Sequence, residues 1–584
     1  MAAFFIPIFT PMNKPLKLTA ASMASMPRVI MVTLTLIYAV SGLFNHDPWK
    51  NDDAEGFGVM WTLAHGHLHD WLFPHISGRD VLAGTPLPYW IGAMSIYYLG
   101  PLIGEINAAR LISGFCFIGT SLTIWYATYL LARRSEVQPM AFAFGGEPSP
   151  KEYGKTIADG ALLIFLACVG LAIRVHEASP LIMELLGISL LLYGTMRGFD
   201  KPIQGGCIAG LALGVIALSG NLWTAIFLCL TSLISFHFRI KKIIFPWVIA
   251  LLIPFGLILA LWPMMWHFGG ASSSEISSAM RVWWGINQFK QFIPLGSLEF
   301  LFINFWSYTW PVWPLCFWSI YIWAKNGRQG LSPAHLIIPG FLLIIELFLF
   351  LFNADLSERY LMLLIPPMSI LAAFGLPFLR RGLISFIDWL SLLSFTLVAG
   401  FIWVIWFAKL TGYPTATANN VARYLPGFVA QFNYFDLLIA LIITTVWVFI
   451  VRWRLSRAPK VIWRCLVISA SGTTLMWVLL MTLWLPTINY AKTYQPVAQR
   501  FAKALPLSVK CIDSSFLGDA QLASFVFFTR LPLEDNPACD FILTHTSEEA
   551  RASSILNQQR LTLIWEDRRD SDKDERLRLY RVNQ

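Results

Sequence analysis

Charge is what this sequence has least of. Of 584 residues, 13% are charged and 56% hydrophobic, with a mean hydropathy of +0.60. Soluble globular chains carry about 25% charged residues, so one water-soluble core is excluded and the composition is that of a polytopic membrane protein. The net charge of +9 gives no nucleic-acid reading, because inner-face loops of membrane proteins collect Lys and Arg. Polar sequence around cysteine is also scarce. Cys116, Cys168, Cys207, Cys229, Cys316 and Cys465 lie in or beside apolar runs and read as buried small hydrophobes; only Cys511 and Cys539 stand in a polar tail. The mildly apolar residues 1–27, broken by Pro7, Pro11 and Pro15, lack a signal-peptide cleavage site and are expected to form a disordered cytoplasmic leader.

Apolar runs are abundant. Stretches near 29–44, 108–132, 157–173, 180–196, 204–218, 221–238, 243–262, 299–324, 335–352, 360–378, 383–408, 434–451 and 461–485 suit bilayer crossing, which takes roughly 20 residues each, so about 13 spans are predicted. With the N-terminus in the cytoplasm, Lys and Arg concentrate on the inner loops, as at Arg133, Arg134, Lys151, Lys155, Lys241, Lys242, Arg380 and Arg381. The acids then gather on the outer side. Glu184 and Glu346 fall in the outward halves of their spans, and Asp388 lies near an inner end. A transporter is expected to carry ionisable groups near the midplane, often on broken helices. One-sided polar chemistry favours an enzyme at the outer membrane–water boundary over a transporter, a lipid flippase or a non-catalytic assembly protein.

The densest polar stretch follows the first span: "WKNDDAEGFGVMWTLAHGHLHDWLF", Trp49 to Phe73. Phe57, Met60, Trp61 and Ala64 share a helical face, which predicts a helix lying on the membrane plane with Asn51, Asp52 or Asp53 at its N-terminus. Capping that positive dipole end is one reading of the two acids. His65, His67 and His69 alternate, so they do not share a helical face; with Asp70 or His75 they could ligate zinc or copper, or stand wet at headgroup level. No cofactor is required by the pattern. Next comes "GTPLPYW", Gly84 to Trp90, where two prolines enforce an extended turn before another helix.

An Asp-led helix one loop past the first span, a His-Asp-Trp segment and then "PLPYW" resemble the GT-C glycosyltransferases of the lipid A aminoarabinose transferase and protein O-mannosyltransferase type. "DLSERYLMLLIPP" (Asp355 to Pro367) resembles the family's Arg-Tyr-Leu-Leu-Pro segment, and "MRVWWGINQFKQF" (Met280 to Phe292) its long outer loop. The resemblance implies an undecaprenyl-phosphate-linked sugar donor attacked with inversion at the periplasmic face of a bacterial inner membrane. It puts Asp52 at the family's catalytic aspartate, with Asp53 as a neighbouring acid. A carboxylate can take the proton of an acceptor hydroxyl, and a departing phosphate needs cations aimed at it. Arg359 beside Tyr360, Lys290 and Arg174 are the available outer-face cations. Arg359 could instead bridge to Asp355 or Glu358. Glu177 stands where the family often has an acid facing the site, although it could simply pair with Arg174. Tyr89 of the proline turn completes the candidate set. Where the family often has Glu-Lys before the turn, this chain has "LAGT", with Gly84 in place of the lysine. The acceptor is a lipid A or lipopolysaccharide, another envelope glycan or a protein, and a monomer among membrane lipids is expected.

From Pro486 the composition becomes that of a soluble α/β unit without a phosphate loop, Walker motif or catalytic triad. "SVKCIDS", "CDFILTH", "LTLIWEDR" and "RLRLYRV" read as strands, with helices near 493–504, 517–526 and 547–557. Cys511 and Cys539 flank a helical crossover, and neighbouring parallel strands would bring them within disulfide range. The expected organisation is a leader (1–27), a membrane domain (28–485) with periplasmic loops (45–107 and 263–298), and a periplasmic α/β domain (486–584).

Overall fold

The computed structural model describes residues 18–80, 85–237, 244–284, 295–326, 334–353, 356–455, 463–506, 509–548 and 561–582. In lipid every backbone N–H and C=O must be satisfied within its own segment, and the apolar runs accordingly form helices. Among the described residues nine are long and apolar enough to cross a membrane: Ala20–Val40, Glu105–Ala132, Leu181–Gly198, Pro202–Ser219, Ile244–Phe268, His335–Phe352, Gly382–Thr411, Tyr434–Arg454 and Leu466–Leu483. The other predicted spans are shorter or broken. The runs at 157–173 and 221–238 correspond to Pro150–Leu166 and Leu222–His237. The run at 299–324 divides into Leu295–Tyr308 and Val312–Asn326 at Pro311, which has no N–H to continue a helix. The run at 360–378 opens as a 3-10 turn, Glu358–Leu364, ahead of Ile365–Ala373.

The leader needs correcting over its last ten residues. Residues 1–17 lie outside the described residues, but Ala20–Met23 forms a 3-10 turn, and Met23 and Met26 are buried. A carboxylate overlooked in the span reading, Asp159, ties this segment down: it accepts from the Met26 N–H at 2.8 Å, from Arg28 at 2.8 Å and from the Trp125 indole at 2.8 Å. A buried carboxylate demands such partners.

The C-terminal unit is a five-stranded mixed sheet. Numbering all strands in chain order, β1 (His75–Ile76) and β2 (Arg79–Asp80) make a small hairpin in the first loop. The sheet contains β3 (Ile512–Phe516), β4 (Leu533–Glu534), β5 (Phe541–His545), β6 (Leu561–Asp567) and β7 (Leu577–Val582) in the order β4-β3-β5-β7-β6. β3 runs parallel to β4 and β5, while β7 is antiparallel to β5 and β6. Helices Gln495–Ala504 and Asp519–Thr529 cover it; the helix expected near 547–557 falls largely outside the described residues. Cys511 and Cys539 precede the neighbouring parallel strands β3 and β5, and their sulfurs are bonded with the Cα atoms 5.4 Å apart. We expect both thiols to resist alkylation in denatured, unreduced protein. Reduction should cost the unit about 3–4 kcal/mol by loop entropy. Labelling of both cysteines without prior reduction would refute this.

The helix Asp52–His65, the loop helix, is clamped between the bundle and this unit. Its glycines allow the approach. A Cβ on Gly56 would stand 1.8 Å from the Ala178 carbonyl oxygen, and one on Gly58 would stand 2.4 Å from the Ala523 methyl. Arg79, in the hairpin, reaches Asp535 at 2.6 Å and Asp519 at 3.0 Å and donates to the carbonyls of Ser514 and Leu517. The linker helix Leu485–Lys492 connects the last span to the sheet.

Candidate active site

The chain enters the loop helix through Asn51, whose backbone sits at φ 73°, ψ −134°, a region that glycine favours and that strains other residues. Neither aspartate caps the helix; its first turn closes through the Trp49 and Asn51 carbonyls, bonded by the N–H groups of Ala54 and Glu55. The capping account is therefore corrected for hydrogen bonding, although both acids stand in the first turn at the positive end of the helix dipole, and the carboxylates point elsewhere. They diverge.

Asp53 points inward and is 1% exposed. One oxygen accepts from the Ala178 N–H at 2.8 Å and from Arg110 Nε at 3.3 Å; the other accepts from the Trp49 N–H at 2.9 Å and from Arg110 Nη2 at 2.6 Å. Burial alone would raise its pKa, but Arg110 and the backbone donors outweigh that and hold it below the usual carboxylate range. Arg110 is itself 1% exposed and donates to the carbonyls of His46 and Asp47.

Asp52 keeps a partly exposed side chain. Arg359 Nη1 bonds one carboxylate oxygen, and Arg174 Nη1 stands 3.5 Å from the other. Arg359 comes from the 3-10 turn Glu358–Leu364, its guanidinium 5.1 Å from the Tyr360 ring centroid. Of the partners expected for Arg359, Glu358 is taken by Arg174 at 2.9 Å, and Asp355 lies outside the described residues. Arg174 also meets Glu177 at 3.2 Å, so one guanidinium serves three carboxylates. Tyr89, 2% exposed, lies within the field of Glu55, Arg359 and Asp52. The structure thus brings together Asp52, Arg359, Tyr360, Arg174, Glu177 and Tyr89, with Asp53 beneath them. Lys290 lies outside the described residues.

Because Arg174 is shared, its attraction does not offset the burial of Glu177. Burial, aided by the charges of Asp52 and Asp53, pushes that carboxyl up to about 7. Glu177 binds its proton more tightly folded than unfolded, so its contribution to stability declines as pH rises from about 4.5 to about 7. Glu177→Gln should flatten the pH dependence of the thermal midpoint across that window and raise the midpoint at pH 8. An unchanged profile would mean that Arg174 keeps Glu177 ionised throughout.

The histidines do not converge. His65 pairs with Glu105 at 3.0 Å, His69 with Glu275 at 3.3 Å and His75 with Asp70 at 3.1 Å, while the backbone N–H of His67 bonds the Asp70 carboxylate. Among the described residues no cluster of three or more His, Cys, Asp or Glu side chains suits a metal ion.

Sequence reasoning missed Arg110 and Lys492, and it gave Glu358 to Arg359 where the structure gives it to Arg174. Arg110 carried a readable signal, a guanidinium six residues into a long apolar helix, where a buried charge needs a buried partner. Lys492 carried none, because it reaches the loop only through the fold.

No protein-family model matches the sequence, and neither does any curated protein. Solved structures do. ArnT from Cupriavidus metallidurans bound to undecaprenyl phosphate aligns over 95% of this chain and 97% of its own, with TM-score 0.60 at 14% identity. The apo state of that protein aligns over the same shares with TM-score 0.59 at 14% identity. The Archaeoglobus fulgidus oligosaccharyltransferase tethered with an acceptor peptide aligns over 87% of this chain and 64% of its own, with TM-score 0.38 at 12% identity. With its apolar helices and small sheet unit, this chain is a polytopic membrane protein of the GT-C fold seen in ArnT.

Proposed function

We propose that this protein is a glycosyltransferase that moves a sugar from an undecaprenyl-phosphate-linked donor to an envelope acceptor at the periplasmic face of the inner membrane. The observation that carries the reading is Asp52, a part-exposed carboxylate held between two guanidiniums at the head of a strained loop. The fold of a protein solved with undecaprenyl phosphate supports the donor class, and the charge asymmetry of the loops supports the face.

An acceptor hydroxyl attacks the anomeric carbon from the side opposite the phosphate. The new C–O bond forms as the bond to the phosphate oxygen breaks, the electron pair leaves with the phosphate, and the configuration inverts. Asp52 takes the hydroxyl proton, a contribution of about 10²–10⁴ in rate. Arg359 and Arg174 meet the charge growing on the leaving phosphate. Without donor these cations hold Asp52 itself, so an arriving phosphate competes for them and releases the carboxylate to act as base. Asp53 supports the loop through Arg110 rather than reacting. The acceptor is a lipid A or lipopolysaccharide, another envelope glycan or a protein.

The test is incubation of the purified protein with labelled undecaprenyl-phosphate sugars and extracted envelope acceptors. Transfer of label from at least one donor is expected. Intact donors in every combination, with a well-folded protein, would refute the reading.

A further inference from the structure

We propose that Lys492, at the end of the linker helix, is a ligand for the phosphate of the lipid-linked donor; the proposal rests on the donor class argued above. Its backbone is fixed from both sides. The Lys492 carbonyl accepts from the Lys50 N–H at 3.2 Å, and the preceding Ala491 carbonyl accepts from Arg569 at 2.9 Å and Ser571 at 2.8 Å. One turn earlier, Asn489 receives the Asp47 N–H at 3.0 Å and the Trp49 indole N–H at 3.1 Å. The linker is thereby registered against the residues that lead into Asp52.

The side chain lies along this contact. Its ammonium stands 4.7 Å from the ring centroid of Trp49, a residue 4% exposed and three positions before Asp52. Glu177, Arg174, Asp53 and Lys50 all act on it electrostatically, and the first three belong to the group of residues described around Asp52. Among the described residues this ammonium makes no hydrogen bond and no ion pair, although three N–H donors are available. An aromatic face attracts a cation but gives those donors no oxygen. A part-buried lysine with open donors, in the field of a guanidinium already shared among carboxylates, is suited to an incoming group rich in anionic oxygen. A phosphate has that chemistry.

The experiment measures binding of undecaprenyl phosphate to the full-length protein in detergent, with inorganic phosphate as a parallel arm and thermal midpoints recorded for each variant. Lys492→Gln should weaken undecaprenyl phosphate binding about 10- to 100-fold, the size of a lost charge-assisted bond. Lys492→Arg should stay within about threefold of wild type, since it restores the charge. The wild-type affinity should fall as salt rises, and that of Lys492→Gln should fall less steeply. Equal binding by wild type and Lys492→Gln overturns the lysine's role and leaves the donor reading standing. Weak binding by Lys492→Arg and Lys492→Gln alike, with a lowered midpoint in both, also overturns it, because the lysine is then structural. No saturable binding by wild type itself refutes the donor reading, and the lysine's role falls with it. Displacement of undecaprenyl phosphate by millimolar inorganic phosphate would identify a free phosphate, not a lipid headgroup, as the ligand, and would overturn the proposal.

Discussion

Asp52→Asn should abolish sugar transfer, with turnover falling about 10²–10⁴-fold, while the thermal midpoint in detergent remains near that of wild type. The stability expectation follows from exposure and redundancy. The Asp52 side chain is 13% exposed, and Arg174 keeps Glu177 and Glu358 as partners when Asp52 loses its charge. The variant should also bind undecaprenyl phosphate at least as tightly as wild type, because the Asp52 carboxylate no longer competes for Arg359. Turnover above a tenth of normal would remove Asp52 from the chemistry. Intact transfer with weakened donor binding would recast it as a ligand.

Asp53→Asn should behave in the opposite way, with a large loss of stability. The carboxylate and Arg110 are both 1% exposed, so neutralising one leaves a guanidinium uncompensated in a nearly dry environment, at a cost of about 3–5 kcal/mol. Activity would fall as well, but as a consequence of a loosened loop. Arg110→Met combined with Asp53→Asn should recover much of the lost stability, since removing both charges is cheaper than stranding one. Thermal midpoints of the two single variants and the double variant measure this coupling. If Asp53→Asn kept its stability yet lost all turnover, Asp53 would belong to the reacting groups and not to the scaffold.

Much of this architecture was legible in the chain, for reasons that differ from part to part. The apolar runs announced membrane helices because lipid leaves the backbone no alternative, and the strands of the C-terminal unit announced themselves by short apolar stretches between turns. The order of motifs singled out Asp52, Arg359 and Tyr89, which the fold gathers into one cluster. Pairing was not legible. Asp52 and Arg359 are 307 residues apart, and Asp53 and Arg110 are 57 apart, so no local periodicity reports which cation meets which acid. The same holds for the leader, whose last residues fold because Asp159 waits in a helix 133 positions away from Met26.

The clamp around the loop helix bears on how the protein is made. Asp47 and Trp49 are held by Asn489, 442 and 440 residues downstream, and Arg79 is held by Asp519 and Asp535, 440 and 456 residues downstream. At synthesis rates of about 5–20 residues per second, those partners emerge roughly 20–90 seconds after the loop they support. During that interval the segment carrying Asp52 lacks its contacts with Asn489, Asp519 and Asp535, so a nascent or truncated chain has an unfinished site.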